Sequence, residues 1–454
     1  MGRLIVVSNR LPLGEPSGGL VVALKDALAG GGIWVGNSGE ISETPSTELI
    51  AHPGAPFERL SFDLTAAEHR DHYLGYANSV LWPLCHGRVD LLEMSPDYPA
   101  AYRQVNRRVA QMIAGILRPS DTIWVHDYHH LPIARELRAL GVEAPIGFFL
   151  HIPFPSPMAF QALPDAEEVT RWIVAYELFG LQSQRDVAAL LEAARTVSGT
   201  SLLLDGKLAY EGEEVRVASF PIGIDVDDFA AEAARAGPRP NGPATIIGVD
   251  RLDYSKGLPQ RFRAFAHLLD LRPDLAGKVE LVQIAPPTRE EVQAYRDIRE
   301  ELERLTGAIN GRHADLDWTP IRYIHRPVPR DRLAGLFRHA RIGLVTPLAD
   351  GMNLVAKEYV AAQDEADPGV LILSKFAGAA EQMDEGALIV NPHDVEEVAQ
   401  AIVTALGMPQ EERRARHGAL LAGLRAEDVH AWRRHYLDRL DTVARARLDA
   451  AGAA

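Results

Sequence analysis

The chain has 454 residues, which is more than one hydrophobic core usually holds, so two domains of about 200 residues are expected. Its 47% hydrophobic and 24% charged residues are typical of a globular protein. The formal net charge of -15 argues against a nucleic-acid-binding protein, because no excess of Lys and Arg is available to neutralise a phosphate backbone. No apolar stretch approaches the roughly 18 residues of a membrane span.

The cysteine content and the first residues predict a cytoplasmic protein. Cys85 is the only cysteine and cannot form an internal disulfide, which fits a reducing compartment. Its apolar neighbours indicate a packing residue rather than a nucleophile. Residues 1–4 lead directly into an apolar run, so we expect no signal peptide.

Six apolar runs each lead to a charged or hydrogen-bonding residue. Runs of this kind, without alternation, are typical of strands buried on both faces of a parallel sheet. The runs cover 4–9, 122–126, 145–150, 246–249, 278–285 and 341–346, and the polar residues that follow are Arg10, Asp127, His151, Arg251, Arg289 and Asp350. Because ligands of such sheets bind at the carboxyl ends of the strands, these residues are candidates for one functional site.

Helical patterns separate the strands. One runs from Leu20 to Leu28 after Gly18 and Gly19, and another runs from Leu131 to Leu140. This alternation predicts βα units and therefore an α/β fold of doubly wound parallel sheets. A segment rich in Gly and Pro at 236–243 predicts a linker, which gives one domain at 1–236 and a second at 244–426.

The last segment, 427–454, has the pattern of a helix. Val429, Trp432, Tyr436 and Leu440 are spaced for one buried face. The helix is either a final surface helix of the second domain or one that docks back on the first, and the sequence favours neither.

The segment 246–257 predicts a site for a diphosphate. A buried strand delivers Arg251, and a short turn that ends at Gly257 delivers Lys256. Two cations at one point are what a dianionic diphosphate needs, so the sequence points to a nucleotide-linked substrate.

The segment 346–358 predicts further contacts for the same substrate. It has the pattern of a strand end, a glycine turn and a helix start, and backbone N–H groups at 351–354 would favour an anion. Asp350 would accept hydrogen bonds from sugar hydroxyls, and Glu358 from a pair of ribose hydroxyls. Alternatively, Asp350 only caps the helix and Glu358 is a solvated helix residue.

The histidine cluster at 126–130 does not predict a metal site. Two helical His ligands with the usual spacing are missing, and no cysteine lies nearby. We therefore expect no metal ion.

Four blocks of the sequence resemble signatures of the trehalose-6-phosphate synthases. They are residues 125–132, 151–155, 249–257 and 350–359, and the similarity extends from Ser8 to Pro392. The resemblance implies the GT-B fold, with two Rossmann-like domains and the active site in the cleft between them. It also implies an enzyme, a retaining glucosyltransferase that moves glucose from UDP-glucose to glucose 6-phosphate and releases UDP.

The resemblance assigns the donor contacts residue by residue. Arg251 and Lys256 would bind the diphosphate, and Glu358 the ribose. Val328 would lie near the nucleobase. The loop at Gly18 and Gly19 would close over the donor. The residues that would contact the transferred glucose are Asp350, Met352, Asn353 and Leu354.

The same resemblance assigns the acceptor contacts. The sugar phosphate would contact Arg10, Tyr73, Trp82 and Arg289. Asp127 would contact acceptor hydroxyls, and His151 would lie beside the reacting centre. Two of these have other interpretations, because a Trp82 in apolar surroundings is usually a core residue and Arg289 has the context of an exposed residue at a helix start.

The implied mechanism is a front-face displacement without a protein nucleophile. The departing diphosphate oxygen accepts the proton of the attacking hydroxyl, and Arg251 and Lys256 stabilise the charge on the leaving group. His151, Asp127 and Asp350 complete the expected catalytic set. No cofactor is expected, and the predicted partners are the two small-molecule substrates and further copies of the chain in a homo-oligomer, with no membrane and no nucleic acid.

Two departures from the family pattern concern the acceptor. Residues 34–39 read Trp-Val-Gly-Asn-Ser-Gly where the family usually has Trp-Phe-Gly-Trp-Ser-Gly, so Asn37 stands in place of an aromatic residue, and the loop after Arg10 is short. One alternative is therefore a glucosyltransferase for another phosphorylated polyol such as glycerol 3-phosphate. Another is a catalytically silent relative with a regulatory role.

Overall fold

The computed structural model describes residues 2–13, 21, 24–25, 27–28, 30–203 and 206–453. Gly18 and Gly19 lie outside the described residues. The chain divides into two compact units, the first made of Met1–Pro221 with His430–Ala454 and the second of Ile222–Val429. Each unit is an α/β domain built on one sheet.

The described part of the first unit contains a ten-stranded sheet with the order β3-β4-β2-β1-β5-β6-β7-β10-β9-β8. Its strands are β1 (Leu4–Arg10), β2 (Gly32–Ser42), β3 (Ile50–His52), β4 (Glu58–Thr65), β5 (Thr122–His126), β6 (Ile146–Phe149), β7 (Leu178–Leu181), β8 (Ser201–Leu202), β9 (Lys207–Tyr210) and β10 (Glu213–Ser219). The neighbours from β4 to β10 pair in parallel, and β3, β9 and β8 extend the edges with antiparallel pairs. Parallel pairing of β1 with both β2 and β5 makes the end of β1 a point where the strand order reverses, which is where open α/β sheets bind ligands.

Helices connect these strands. Those that lie entirely within the described residues are Ala66–Glu68, the π-helix His69–Leu81, Trp82–Cys85, the 3-10 turn Val89–Leu91, Asp97–Ala114, Ile133–Ala139, Pro157–Phe160, Ala166–Val174 and Gln184–Ala194. The helix predicted at 131–140 is confirmed and shorter, because it begins only after Pro132. The residues of 20–28 that the structure describes are mostly helical.

The helix Val429–Ala453 packs on the sheet of the first unit. Tyr436 stacks on Trp124 with a centroid distance of 4.5 Å, and its hydroxyl donates to the Phe148 carbonyl at 2.9 Å. The four residues expected on its apolar face, Val429, Trp432, Tyr436 and Leu440, are all buried. Of the two placements that the sequence leaves open, the structure has the helix on the first unit.

The second unit contains a six-stranded sheet with the order β13-β12-β11-β14-β15-β16, in which each neighbouring pair is parallel. Its strands are β11 (Ala244–Val249), β12 (Val279–Ile284), β13 (Ile321–Ile324), β14 (Ile342–Val345), β15 (Val370–Ser374) and β16 (Leu388–Val390). The order reverses between β11 and β14, so the residues that follow these two strands, Arg251 and Asp350, lie at the switch point of a doubly wound sheet.

The helices of the second unit cover both faces of this sheet. They are Val226–Ala234, the 3-10 turn Tyr254–Lys256, Leu258–Leu271, the 3-10 turn Pro273–Leu275, Gln293–His313, Arg330–His339, Leu354–Ala362, Ala380–Met383, Val395–Gly407 and Gln410–Ala426. All six strands expected from the apolar runs are confirmed within one or two residues.

The division between the units lies earlier than the Gly- and Pro-rich linker that the sequence predicts at 236–243. The helix Val226–Ala234 belongs to the second unit, where Phe229 packs on Phe337 with a centroid distance of 6.3 Å. The 237–243 segment therefore joins a helix to β11 inside the second unit. The expected first domain, 1–236, is about fifteen residues too long by this division.

Candidate active site

The lysine predicted to bind the donor diphosphate is in direct contact with the aspartate predicted to bind the transferred sugar. The Lys256 ammonium lies 2.6 Å from Asp350 Oδ2, and both side chains are largely buried, with 11% and 14% exposed. Lys256 ends the turn Tyr254–Lys256, and Gly257 follows with a φ of 67°. A Cβ at Gly257 would lie 2.4 Å from the Thr346 carbonyl oxygen, so glycine is needed both for the conformation and for the close approach.

Asn353 completes this cluster and caps the next helix. Its side-chain oxygen accepts from the Ala356 N–H at 3.1 Å, and its amide nitrogen donates to Asp350 Oδ2 at 3.0 Å. The alternative that Asp350 caps the helix is therefore wrong, because Asn353 is the N-cap. Met352, the preceding residue, is buried, and Leu354 begins the helix. The segment predicted to bind the donor therefore leads directly into the start of a helix.

A buried ion pair that sequence reasoning missed supports the end of β11. Asp250 Oδ2 lies 2.6 Å from Arg261 Nη1, and neither side chain is appreciably exposed. Arg261 also donates to Gln283 Oε1 at 2.8 Å and to Thr346 Oγ1 at 3.0 Å. The guanidinium thus joins the carboxyl ends of β11, β12 and β14. The only signal in the sequence is an Asp and an Arg eleven residues apart.

Glu358 and Val328 lie on elements that reach the same edge of the sheet. Glu358 is on the helix that Asn353 caps, its side chain is only partly exposed, and burial raises its pKa to about 7, with Arg330 acting in the opposite direction. The alternative of a solvated helix residue is therefore wrong for Glu358. Val328 is partly exposed in the loop between β13 and the helix Arg330–His339.

Arg289 is held by buried partners. Its Nη1 donates to the Tyr295 hydroxyl at 2.5 Å and lies 3.7 Å from Asp253 Oδ2, with 6% of the Arg289 side chain exposed. The guanidinium also lies 5.6 Å from the centre of the Tyr295 ring. The interpretation of Arg289 as an ordinary exposed residue at a helix start is wrong.

In the first unit, the ends of β5, β6 and β7 bring His126, Asp127, His151 and Gln182 together. His151 Nε2 lies 3.1 Å from His126 Nδ1, and its Nδ1 lies 3.3 Å from Gln182 Nε2. The backbone N–H of His151 donates to Asp127 Oδ1 at 3.3 Å. Burial lowers the pKa of His151 to about 3, so its ring is neutral at physiological pH and acts as a hydrogen-bonding group rather than a cation.

The two aromatic residues assigned to the acceptor belong to one chain of rings. Tyr73 stacks on His129 at 5.7 Å, His129 contacts Tyr128 at 4.0 Å, and Tyr128 contacts Trp82 at 5.7 Å. Trp82 is 3% exposed, as the core interpretation predicts, whereas Tyr73 is half-buried on the π-helix. Cys85 is likewise buried, and burial raises the pKa of its thiol above the usual value, which agrees with a packing role.

Arg10, the last residue of β1, pairs with Asn37 in the middle of β2. The Asn37 side chain accepts from the Gly39 N–H at 2.5 Å, and its carbonyl accepts from the Leu11 N–H at 2.9 Å. The Arg10 guanidinium lies over Gly39, where a Cβ would be 2.4 Å from Arg10 Cζ. Asn37 therefore shapes the irregular part of β2 against which Arg10 lies.

Backbone conformation marks several of these positions independently. Among the described residues, four that are not glycine have a positive φ, namely Asp127, Glu211, Arg289 and Asn353. Three of the four are predicted site residues. Because this region is costly for residues with a Cβ, it is concentrated at functional sites.

A metal-binding cluster and a membrane-spanning helix are both absent from the described part of the chain. It contains no group of three or more His, Cys, Asp or Glu side chains arranged to hold a metal ion. The helices searched there include none that is long and apolar enough to cross a membrane.

Comparison with known proteins agrees with this architecture. The family model described as Glycosyltransferase family 20 matches residues 8–442. A trehalose-6-phosphate synthase of Klebsiella pneumoniae is 44% identical over 458 residues, with 98% of this chain and 96% of the relative covered.

Two solved structures carry ligands. An alpha,alpha-trehalose-phosphate synthase (UDP-forming) from Burkholderia xenovorans, in complex with glucose-6-phosphate, has a TM-score of 0.91 and 44% identity, covering 97% of this chain and 100% of that one. An E. coli structure described as trehalose-6-phosphate bound with UDP-2-fluoro glucose has a TM-score of 0.92 and 42% identity, covering 97% and 99%. The fold is therefore GT-B, with two Rossmann-like domains. The chain belongs to glycosyltransferase family 20 and is a glycosyltransferase.

Proposed function

We propose that the protein transfers glucose from UDP-glucose to glucose 6-phosphate with retention, which gives trehalose 6-phosphate and UDP. The observation that carries the proposal is the Lys256–Asp350–Asn353 cluster at the switch point of the second sheet. It offers a cation for the diphosphate beside a carboxylate and an amide for sugar hydroxyls. The ligands of the two solved relatives are a UDP-sugar analogue and glucose 6-phosphate, which supports the same substrate pair here.

The donor roles follow from the chemistry of each side chain. Arg251 and Lys256 bind the diphosphate, Glu358 accepts from the ribose hydroxyls, and Val328 contacts the nucleobase. The transferred glucose lies against the donor segment, that is Asp350, Met352, Asn353 and Leu354, and the loop at Gly18 and Gly19 completes the donor site. Charge-assisted hydrogen bonds of this kind contribute about 1.5 to 3 kcal/mol each.

The acceptor roles fall mainly on the first unit. Arg10, Tyr73 and Trp82 contact the sugar phosphate together with Arg289 of the second unit. Asp127 accepts from acceptor hydroxyls, and the neutral His151 donates or accepts a hydrogen bond beside the reacting carbon.

The reaction needs no covalent intermediate. The bond between the anomeric carbon and the diphosphate breaks, and the acceptor hydroxyl bonds to the same face of that carbon. The leaving diphosphate oxygen takes the proton of the attacking hydroxyl, while Arg251 and Lys256 stabilise the charge that develops on it.

The function is tested by the release of UDP from UDP-glucose in a panel of acceptors. Glucose 6-phosphate, glycerol 3-phosphate, unphosphorylated glucose and no acceptor form the four arms, and the product is identified by mass spectrometry and by its retained anomeric configuration. We expect glucose 6-phosphate to give the fastest release. A preference for glycerol 3-phosphate would contradict the proposed acceptor but not the proposed donor site. No release of UDP with any acceptor would favour the alternative of a regulatory protein.

The protein further works without a metal ion, because cationic side chains take the place of the divalent ion that other glycosyltransferases place at the diphosphate. Turnover should survive EDTA. Loss of turnover in EDTA that magnesium or manganese restores would contradict this, whereas modest stimulation would only reflect pairing of the ion with the free nucleotide sugar.

The remaining part of the proposal concerns where and in what form the protein works. A cytoplasmic location is supported by the single, buried Cys85. A homo-oligomer is expected, and light scattering of the purified chain tests it.

A further inference from the structure

One buried carboxylate of the second unit holds both a donor element and an acceptor residue. Asp253 is fully buried and follows β11 by a few residues. Its Oδ1 accepts from the Ser255 N–H at 2.9 Å, which fixes the turn that carries Lys256. Its Oδ2 accepts from the Tyr295 hydroxyl at 2.9 Å and lies 3.7 Å from Arg289 Nη1.

Tyr295 is the link between the carboxylate and the arginine. Its hydroxyl donates to Asp253 and accepts from Arg289, so it uses both capacities of a phenol. The ring is buried, and burial raises the pKa of Tyr295 well above its usual value, so the proton stays on the oxygen. Tyr295 lies near the start of the helix Gln293–His313, which makes this link rigid.

The arginine needs such a support. Arg289 has a φ of 49°, a backbone conformation that a residue with a Cβ adopts only when its surroundings fix it. A guanidinium is planar and rigid, so the contacts of Nη1 restrict the directions in which its other N–H donors can point. Bidentate recognition of a phosphate depends on that direction.

We propose that Asp253 and Tyr295 are positioning residues of the transfer reaction: Asp253 anchors the Lys256 turn and Arg289 at once, and Tyr295 transmits that anchor to Arg289. The proposal rests on the function proposed above, in which Lys256 binds the donor and Arg289 the acceptor phosphate. Its consequence is that the two sites are aligned by one side chain that touches neither substrate.

The test uses the full chain and measures kcat and both KM values in four variants. Arg289→Ala should raise the KM for glucose 6-phosphate at least about tenfold, with the donor KM little changed. Tyr295→Phe, which removes only an oxygen, should raise the acceptor KM about three- to tenfold and leave the donor KM within about twofold. Asp253→Asn should raise both the acceptor KM and the donor KM.

The control and the double variant separate positioning from general destabilisation. Tyr323→Phe removes another partly buried hydroxyl of the same unit, one that contacts His325 at 3.2 Å, and should change neither KM. If Tyr295 acts through Arg289, the double variant Arg289→Ala/Tyr295→Phe should have the acceptor KM of Arg289→Ala alone.

Each contrary outcome has one meaning. An unchanged acceptor KM in Arg289→Ala would remove the acceptor assignment in the proposed function. An effect of Arg289→Ala together with no effect of Tyr295→Phe, or with a multiplied effect in the double variant, would overturn the positioning role. If Asp253→Asn fails to fold, Tyr295→Phe and the double variant still decide whether Arg289 is positioned in this way.

Discussion

At the scale of single residues, the side chains of the candidate site hold one another in place. The Lys256 ammonium pairs with Asp350, and Asn353 donates to the same carboxylate oxygen. A cation fixed in this way loses little side-chain freedom on binding a diphosphate, and it needs no reorganisation when charge develops on the leaving group. In the proposed function, the pair would contribute to catalysis through its position as much as through its charge.

Removal of this cation should be costly. Lys256→Ala is expected to lower turnover by roughly 100-fold or more, the scale of losing one charge-stabilising group. The comparison is Lys278→Ala, an exposed lysine that precedes β12 at the opposite edge of the same sheet, which should keep normal turnover. Near-native steady-state kinetics of Lys256→Ala would remove its assignment to the diphosphate.

In the proposed donor site, Glu358 would introduce a pH dependence. Its pKa is raised to about 7 by burial, so the carboxylate proposed to accept from ribose hydroxyls is ionised above that pH and becomes protonated as the pH falls through it. Binding of UDP-glucose, whose diphosphate does not titrate in this range, should weaken by up to about tenfold between pH 8 and pH 6. Calorimetry without acceptor measures it.

The matched variant for this prediction is Glu358→Gln, whose affinity should not vary over the same range. Burial lowers the pKa of the neighbouring Lys357 to about 7. The Lys357 ammonium donates to the Ile222 carbonyl and to Gln382 Oε1. Persistence of the pH dependence in Glu358→Gln would assign the titration to another group such as Lys357.

At the scale of elements, the strands and the polar residues that end them follow from the sequence. A run such as 246–249 is apolar throughout because both faces of its strand are covered, and parallel strands place the residues after them at one edge. That reasoning predicts Arg251, Lys256, Asp350 and His151 at the strand ends.

The supports beneath these residues do not follow from the sequence. Arg261 has partners 11, 22 and 85 residues away, and they meet only because β11 lies between β12 and β14. Tyr295 lies in a largely charged and polar stretch of sequence, and nothing near it indicates the buried Asp253, 42 residues away. Side-chain networks of this kind depend on strand order, which a local pattern does not contain.

The Arg261 network yields a prediction on stability. Arg261→Met would leave the buried Asp250 without its countercharge, and breaking a buried pair in this way costs about 3 to 5 kcal/mol. The loss should appear in the midpoint of denaturant unfolding. Burial raises the pKa of Asp250, so its ionised form is the costly one and protonation relieves the cost as the pH falls. The deficit of the variant relative to the parent chain should therefore shrink toward low pH, and a deficit that is constant with pH would contradict this account.

At the scale of the whole molecule, the last helix of the chain forms part of the hydrophobic core of the first unit. The helix Val429–Ala453 lies on strands β5, β6 and β7 of the first unit, more than 250 residues earlier in sequence. Glycines permit the approach: a Cβ at Gly147 would lie 2.4 Å from the Tyr436 hydroxyl oxygen, and one at Gly180 would lie 2.7 Å from its ring. The stability of the first unit should therefore depend on the last helix.

Tyr436 provides the test of that dependence. Tyr436→Ala removes a fully buried ring that stacks on Trp124 and should lower the free energy of unfolding by about 3 to 5 kcal/mol. Tyr436→Phe keeps the ring and loses only the hydroxyl, which donates to the Phe148 carbonyl at 2.9 Å and to the Leu178 carbonyl at 3.4 Å, so about 0.5 to 1.5 kcal/mol is expected. Arg434→Ala, an exposed position on the same helix, should be neutral. Thermal and denaturant unfolding, followed by the fluorescence of the tryptophans in the first unit, measure all three, and an alanine variant as stable as the parent chain would mean that the helix contributes little to the first unit.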